Sequence, residues 1–277
     1  MAHLERMRTR TASSLLCIAA CLGAAPAFAG DPYTDVISVE VRPGWTQSNG
    51  THMAALHLSL APGWKTYWRA PGDAGIPPQF FWDGSRNIGT MAVSWPTPMV
   101  FDQNGMRSVG YKDELVIPLH ITPDKSGKDI RIKGEIELGV CKDICIPRSL
   151  KFDQWALAAN TQPDAVIAAA MASGPYSADE AGVRSVTCSL SPIEGGLRLS
   201  ATITMPSSGG TEFAVIEPGD PQIWASESVS ERSGDQLTAY SDLIHVSQSA
   251  FALDRSDVRI TVLGGKHSVD IRGCSPG

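Results

Sequence analysis

Residues 129–138 read DIRIKGEIEL, with apolar and polar side chains alternating along most of the run. A period of two sends one row of side chains into a core and the other toward solvent, the signature of a strand packed on one face. The pattern recurs in YTDVISVEV (residues 33–41), THMAALHLSL (51–60) and ELVIPLHIT (114–122). Between these runs lie RPGW, APGW, APGDAGIPP and SWPTP, whose glycines and prolines punctuate short strands. Strands of this length and spacing predict a sandwich or barrel rather than a wound α/β sheet.

Residues 162–174, QPDAVIAAAMASG, break the pattern: Pro163 stands near a helix start and Gly174 at its stop. This segment reads equally as a helix packed on a domain edge or as a flexible joint. From Val183 the alternation resumes in GLRLSATITM, TEFAVIE, DVRITVLGG and KHSVDIRG. The expected fold class is all-β, with two β-sandwich domains joined by a short helical linker. The expected boundaries are 1–29 export signal, 30–159 first domain, 160–182 linker and 183–277 second domain. A chain of 277 residues, 43% of them hydrophobic, has the apolar content for two such cores.

The signal reading rests on Arg6, Arg8 and Arg10, an apolar stretch from Ala12 to Ala25, and Ala27-Phe28-Ala29 as a small-x-small cleavage site. The rival is Ile18-Ala19-Ala20-Cys21 as a lipoprotein box, with Cys21 carrying lipid. After residue 29 no apolar run is long enough for a membrane helix. Removing three arginines and Glu5 with the signal takes the formal charge from −6 to −8. That excess argues against nucleic acid or an anionic membrane surface as the main partner.

Export implies an oxidising compartment, where disulfides persist. Cys141, Cys145, Cys188 and Cys274 remain after the signal, with three possible connectivities. Cys188 and Cys274 lie near the ends of the second domain, and bridging them closes a long loop. The chain-entropy model credits such a loop with roughly 4.6 kcal/mol, so this pair is expected to be a structural disulfide.

The other pair stands in GVCKDICIPRSL, residues 139–150. A five-residue ring contributes about 2 kcal/mol by the same model and makes a poor staple. In a straight strand Cys141 and Cys145 would lie about 13 Å apart, while a disulfide needs Cα atoms within about 7 Å. The chain must therefore turn through Lys142-Asp143-Ile144 or coil into a helical turn, and Pro147 disfavours a continuing helix. Lys142 and Arg148 would favour a thiolate there, and Asp143 would oppose it. Redox exchange, a small structural hairpin disulfide and a metal clamp all stay open on these residues. His52, Met53, His57 and His120 are scattered, so no further ligand pair completes a zinc site, although copper(I) would accept two thiolates. No metal site is assigned and no cofactor is expected; G-x-S-x-G, H-E-x-x-H and a phosphate-cradling glycine loop are all absent. Residues 63–84, GWKTYWRAPGDAGIPPQFFWDG, are dense in aromatics. They supply core packing, or an apolar wall beside the cysteine pair.

Three motifs in this order carry a resemblance: GWKTYWRAPGDAGIPP (63–78), VSWPTPMVFDQNGMRSVGYKDELVIPLHIT (93–122) and GVCKDICIP (139–147). Over about residues 33 to 155 the chain resembles the N-terminal periplasmic domain of thiol-disulfide interchange proteins of the DsbD and ScsB type. The resemblance implies an immunoglobulin-like sandwich with a redox-active pair. It implies that Cys145 forms the mixed disulfide with partners and that Cys141 resolves it. A cap segment, matched here by residues 101–105 with Phe101 as the shield, would cover the pair until docking. The spacing of the pair follows the ScsB-like branch; DsbD itself has a longer one. No membrane domain or thioredoxin-like domain follows, so the implied partners are a separate membrane electron-donor protein and periplasmic thioredoxin-fold proteins. The expected function is periplasmic thiol–disulfide interchange, by a protein-disulfide reductase type of oxidoreductase. A copper-tolerance module binding copper(I) through the same cysteines, and a non-catalytic structural sandwich, are the alternatives.

Overall fold

A computed structural model describes residues 33, 35–73, 75–103 and 106–277. The expected export signal, with Cys17 and Cys21, lies outside these residues, as do Asn104 and Gly105 of the expected cap.

The architecture is all-β: two immunoglobulin-like sandwiches with one short helix between them. The first is built from β1 (Ile37–Thr46), β2 (His52–Leu60), β3 (Lys65–Tyr67), β4 (Gln79–Phe81), β5 (Thr90–Val93), β6 (Met99–Gln103), β7 (Met106–Lys112), β8 (Glu114–Thr122), β9 (Ile130–Cys141) and β10 (Cys145–Ala156). One of its sheets has the order β1-β2-β8-β5; the other runs β10-β9-β3-β7-β6, with β4 also paired to β9. After helix α1 (Ala165–Ala172) come β11 (Tyr176–Ser177), β12 (Ser185–Ile193), β13 (Gly196–Thr204), β14 (Phe213–Glu217), β15 (Ile223–Ala225), β16 (Val229–Ser233), β17 (Gln236–His245), β18 (Arg259–Leu263), β19 (Ser268–Arg272) and β20 (Ser275–Pro276). These form sheets β11-β19-β18-β14 and β15-β17-β13-β12-β20, with β16 on β17.

The alternation in residues 129–138 does what strand geometry demands. Ile130, Ile132, Ile136, Leu138 and Val140 are each at most 3% exposed and form the inward row of β9. Arg131, Lys133, Glu135 and Glu137 make the outward row. At the end of the strand the alternation stops: Gly139, Val140 and Cys141 are all buried, so both faces are covered there. Strand β2 is likewise buried on both faces. Its Ala54, Leu56 and Leu58 form one row, while Met53 and Ala55 pack with Trp45, Val116 and Ile167 of α1. The helix therefore packs on the first sandwich. Asp164 caps it, accepting from the backbone N–H of Val166 and Ile167, and also accepts from the Arg42 guanidinium at 3.0 and 2.8 Å.

In the second sandwich Leu199, Ile203, Leu237, Leu243, Ile260, Val262 and Val269 build the core around Cys188. Cys188 is bonded to Cys274, 86 positions away, with Cα atoms 5.7 Å apart. This bridge links β12 to the segment that enters β20, where the two strands pair in parallel.

The sandwiches meet on outward rows. Thr261 lies between the core residues Ile260 and Val262 on β18, yet it is fully buried. Arg69 of the first sandwich covers it, donating to Thr261 Oγ1 at 3.1 Å and to both carboxylate oxygens of Glu217 at 3.0 and 2.9 Å. Among the described residues no helix is long and apolar enough to cross a membrane.

Replacing Ile167 with alanine is expected to cost about 2–5 kcal/mol, read as an earlier urea transition of the first sandwich. An unchanged transition would show that α1 adds little to that sandwich.

Candidate functional site

Strand β9 ends at Cys141 and β10 begins at Cys145, so the cysteine ring closes a hairpin. Cys141 and Cys145 stand opposite each other in register, and the Lys142 N–H donates to the Ile144 carbonyl at 3.0 Å inside the turn. The Cα atoms are 4.2 Å apart and the sulfurs are bonded. Of the two geometries the spacing allowed, the chain uses the turn. Of the three connectivities, it forms Cys141–Cys145 with Cys188–Cys274.

The two sulfurs sit in different surroundings. Cys141 is 1% exposed. Cys145 is exposed, because it opens β10, the edge strand of its sheet. Ile144 beside it is 47% exposed. A nucleophile from solvent therefore meets Cys145 first, and access is a condition for exchange.

What covers Cys141 follows from the course of the chain. Strands β3 and β4 pair with the same edge of β9, β3 at Val140–Cys141 and β4 at Glu135–Glu137. Between them the chain leaves the sheet and crosses its outward face before returning at Gln79. The Gly139 carbonyl falls in the gap and accepts from Thr66 Oγ1 at 2.9 Å, so a buried backbone acceptor stays satisfied.

Lys65 and Tyr67 lie on the outward row of β3, beneath this crossing segment. The Tyr67 hydroxyl is 2.8 Å from Cys141 Sγ and 3.4 Å from Cys145 Sγ. Its ring is held between two glycines. A Cβ at Gly139 would stand 3.1 Å from Tyr67 Cδ2 and 2.8 Å from Ile76 Cβ; one at Gly75 would stand 3.0 Å from Tyr67 Cδ1 and 2.2 Å from Pro71 Cβ. Burial raises the phenol above its usual pKa, so it keeps its proton through neutral pH as a donor aimed at the sulfurs.

Lys65 is 7% exposed. Its ammonium donates to Ser108 Oγ at 3.3 Å and lies 5.0 Å from the centroid of Phe101, and burial lowers its pKa. Phe101, the expected shield, stands on the edge strand β6 opposite Ser108. It reaches the site through Lys65, whose backbone is paired with Cys141. Lys142 turns its ammonium to the Pro62 carbonyl, at 3.4 Å.

The aromatic stretch divides by row. Trp64 and Trp68 are buried. Phe80 stacks on Trp82 with centroids 5.7 Å apart, and Trp82 meets Phe152 edge-on at 5.5 Å. Tyr67 is the wall beside the sulfurs. Sequence reading placed it in an aromatic cluster but assigned no role to its hydroxyl or to Lys65. The available signal was a lysine and a tyrosine two apart in a stretch flanked by tryptophans.

Among the described residues no three or more His, Cys, Asp or Glu side chains are grouped to hold a metal ion. The scattered histidines have local partners: His52 with Thr46, His120 with Ser94 and His57 with Glu114.

Gly139→Ala is expected to force Tyr67 or Ile76 aside, at a cost of about 1–3 kcal/mol for overpacking. Thermal unfolding measures this; a variant as stable as the parent would show that the crossing segment yields freely.

Residues 33–156 match the family described as "Thiol:disulfide interchange protein DsbD, N-terminal", and this segment is a DsbD-type N-terminal domain. The N-terminal periplasmic domain of ScsB from Proteus mirabilis matches across both sandwiches, with a TM-score of 0.67 and 22% identity, covering 89% of this chain and 96% of that one. The reduced DsbD N-terminal domain of Neisseria meningitidis aligns with 48% of this chain and 94% of its own, at 17% identity and a TM-score of 0.27. A search of curated proteins found no match.

Proposed function

We propose that this protein is a thiol–disulfide interchange protein that passes reducing equivalents through the Cys141–Cys145 pair. The observation that carries this reading is the asymmetry of the pair within a DsbD-type domain. One sulfur is exposed at a sheet edge; the other is buried against a phenol O–H.

The geometry supports a complete two-electron cycle. A donor thiolate attacks Cys145 Sγ, the Cys141–Cys145 bond breaks, and Cys141 leaves as a thiolate. The Tyr67 hydroxyl, already 2.8 Å away, donates to that thiolate. A hydrogen bond to the charged form favours it, and a better-stabilised leaving sulfur departs faster. The donor's second thiolate then attacks its own sulfur in the mixed disulfide, leaving as a disulfide and freeing Cys145. In the second half Cys145 attacks the disulfide of an acceptor and displaces one of its thiolates. Cys141 attacks Cys145 Sγ, the ring closes and the acceptor's second thiolate leaves. Two electrons pass to the acceptor, whose thiolates take protons from solvent.

We assign the donor to a membrane electron-donor protein and the acceptors to thioredoxin-fold proteins of the periplasm. The family description and the export-like N-terminal sequence support that assignment.

The testing experiment is the reduction potential of the Cys141–Cys145 pair in thiol buffers, with Cys188–Cys274 followed separately by mass. A value between about −180 and −270 mV is expected of an exchanger, and one below about −300 mV would mark a staple. Cys141→Ser is expected to accumulate a mixed disulfide through Cys145, whereas Cys145→Ser traps nothing; trapping through Cys141 would reverse the roles. Tyr67→Phe removes a hydrogen bond to a charged group, worth about 1.5–3 kcal/mol. Reduction of the pair should slow about ten- to a hundredfold, and an unchanged rate would remove Tyr67 from the mechanism.

A further inference from the structure

We infer that the second sandwich is a positioning element for the cysteine pair, acting through the strand that carries Lys65 and Tyr67. The inference deepens the interchange reading and rests on it.

Two arginines tie the site to the second sandwich. Arg69 follows Tyr67 by two positions, in the bend just beyond the end of β3. Its guanidinium lies 3.8 Å from the Trp68 ring and makes the paired bonds to Glu217. Burial lowers its pKa, and Glu217 opposes that shift. Arg107 is the neighbour of Ser108, which receives the Lys65 ammonium. It pairs with Glu227 at 2.9 Å and lies 4.3 Å from the Phe213 ring.

The crossing segment over Tyr67 hangs between these two anchors. Its Asp73 carboxylate accepts from the Glu227 N–H at 3.1 Å, and its Pro71 carbonyl accepts from the Val109 N–H at 2.9 Å. On its far side lies a cavity of about 630 Å³, walled by Phe213, Ile216 and Trp224 of the second sandwich. With open space behind it, the roof is close-packed on its Tyr67 side only and has no packing on its far side to press it down. The Arg69–Glu217 pair at its start and the Asp73 carboxylate on the Glu227 N–H hold it over the Tyr67 ring and keep the phenol on Cys141, while the Arg107–Glu227 ion pair ties down the neighbouring strand that carries Ser108.

Neither glutamate touches a sulfur, so neutral isosteres test the idea in the full chain. Glu217→Gln with Glu227→Gln is expected to slow reduction of Cys141–Cys145 by dithiothreitol at least threefold, with Cys188–Cys274 scored separately. In a Tyr67→Phe background the same pair of changes should add no further slowing, because residues acting through one contact are not additive. Asp153→Asn, which breaks the Arg131 pair at the other end of the same hairpin, should leave the rate unchanged. Equal slowing in both backgrounds, an unchanged rate or a faster one would overturn the inference. If the double variant does not fold, Glu217→Gln alone, which weakens the Arg69 pair directly after Tyr67, carries the test, with at least a twofold effect expected in the Tyr67 background and none in Tyr67→Phe. The wild-type equilibrium against glutathione tests the interchange reading, and these rate ratios test positioning, so each can fail without the other.

Discussion

Successive side chains of a strand point to opposite faces of its sheet, and in β3 that constraint divides core from chemistry. Thr66 and Trp68 point inward and are fully buried. Lys65 and Tyr67 point outward, and Arg69 follows in the bend beyond the strand. The first two lie against the cysteine hairpin, and the third reaches the second sandwich. A shift of one residue in the pairing of β3 with β9 would exchange these rows. It would bury a lysine in the core and turn the phenol away from the sulfurs. The register Lys65↔Cys141 and Thr66↔Val140 is therefore what the site, the core and the contact between sandwiches share.

The two disulfides show one bond in two physical settings. Cys188–Cys274 closes a long loop around a buried core, where the loss of unfolded-state entropy is large. Cys141–Cys145 closes a turn that the hairpin already makes, so it constrains little that β9 and β10 do not. The short ring occupies the end of an edge strand. Edge strands leave backbone groups available to an incoming chain, and the exposed sulfur stands where such a chain would arrive.

Several parts of this arrangement were legible in the residues. The alternation of residues 129–138 and its counterparts marked strands. The spacing of Cys141 and Cys145 demanded a turn or a helical coil if they were to bond, and Pro147 disfavoured a helix continuing beyond it. Pro163 and Gly174 bracketed α1, but whether that helix packed or swung free depended on Ile167 finding Trp45 and Met53 across the sheet. Phe101 was singled out by the family resemblance, as the shield of a cap segment. Its meeting with Lys65 required β6 and β3 to flank β7 in one sheet.

The sequence by itself determined the strand periodicity, the need for the chain to bend between bonded cysteines and the apolar content of two sandwiches. These are local properties, set by side-chain alternation and by the reach of a few peptide units. Tertiary structure alone decided that Cys141 is buried while Cys145 is exposed, that a tyrosine hydroxyl faces both sulfurs, and that Arg69 and Arg107 grip a second sandwich. Those contacts join Tyr67 to Cys141 and Arg69 to Glu217, residues 74 and 148 positions apart. The pairing order of the strands and the face each row presents set such distances, and no short stretch of sequence encodes them.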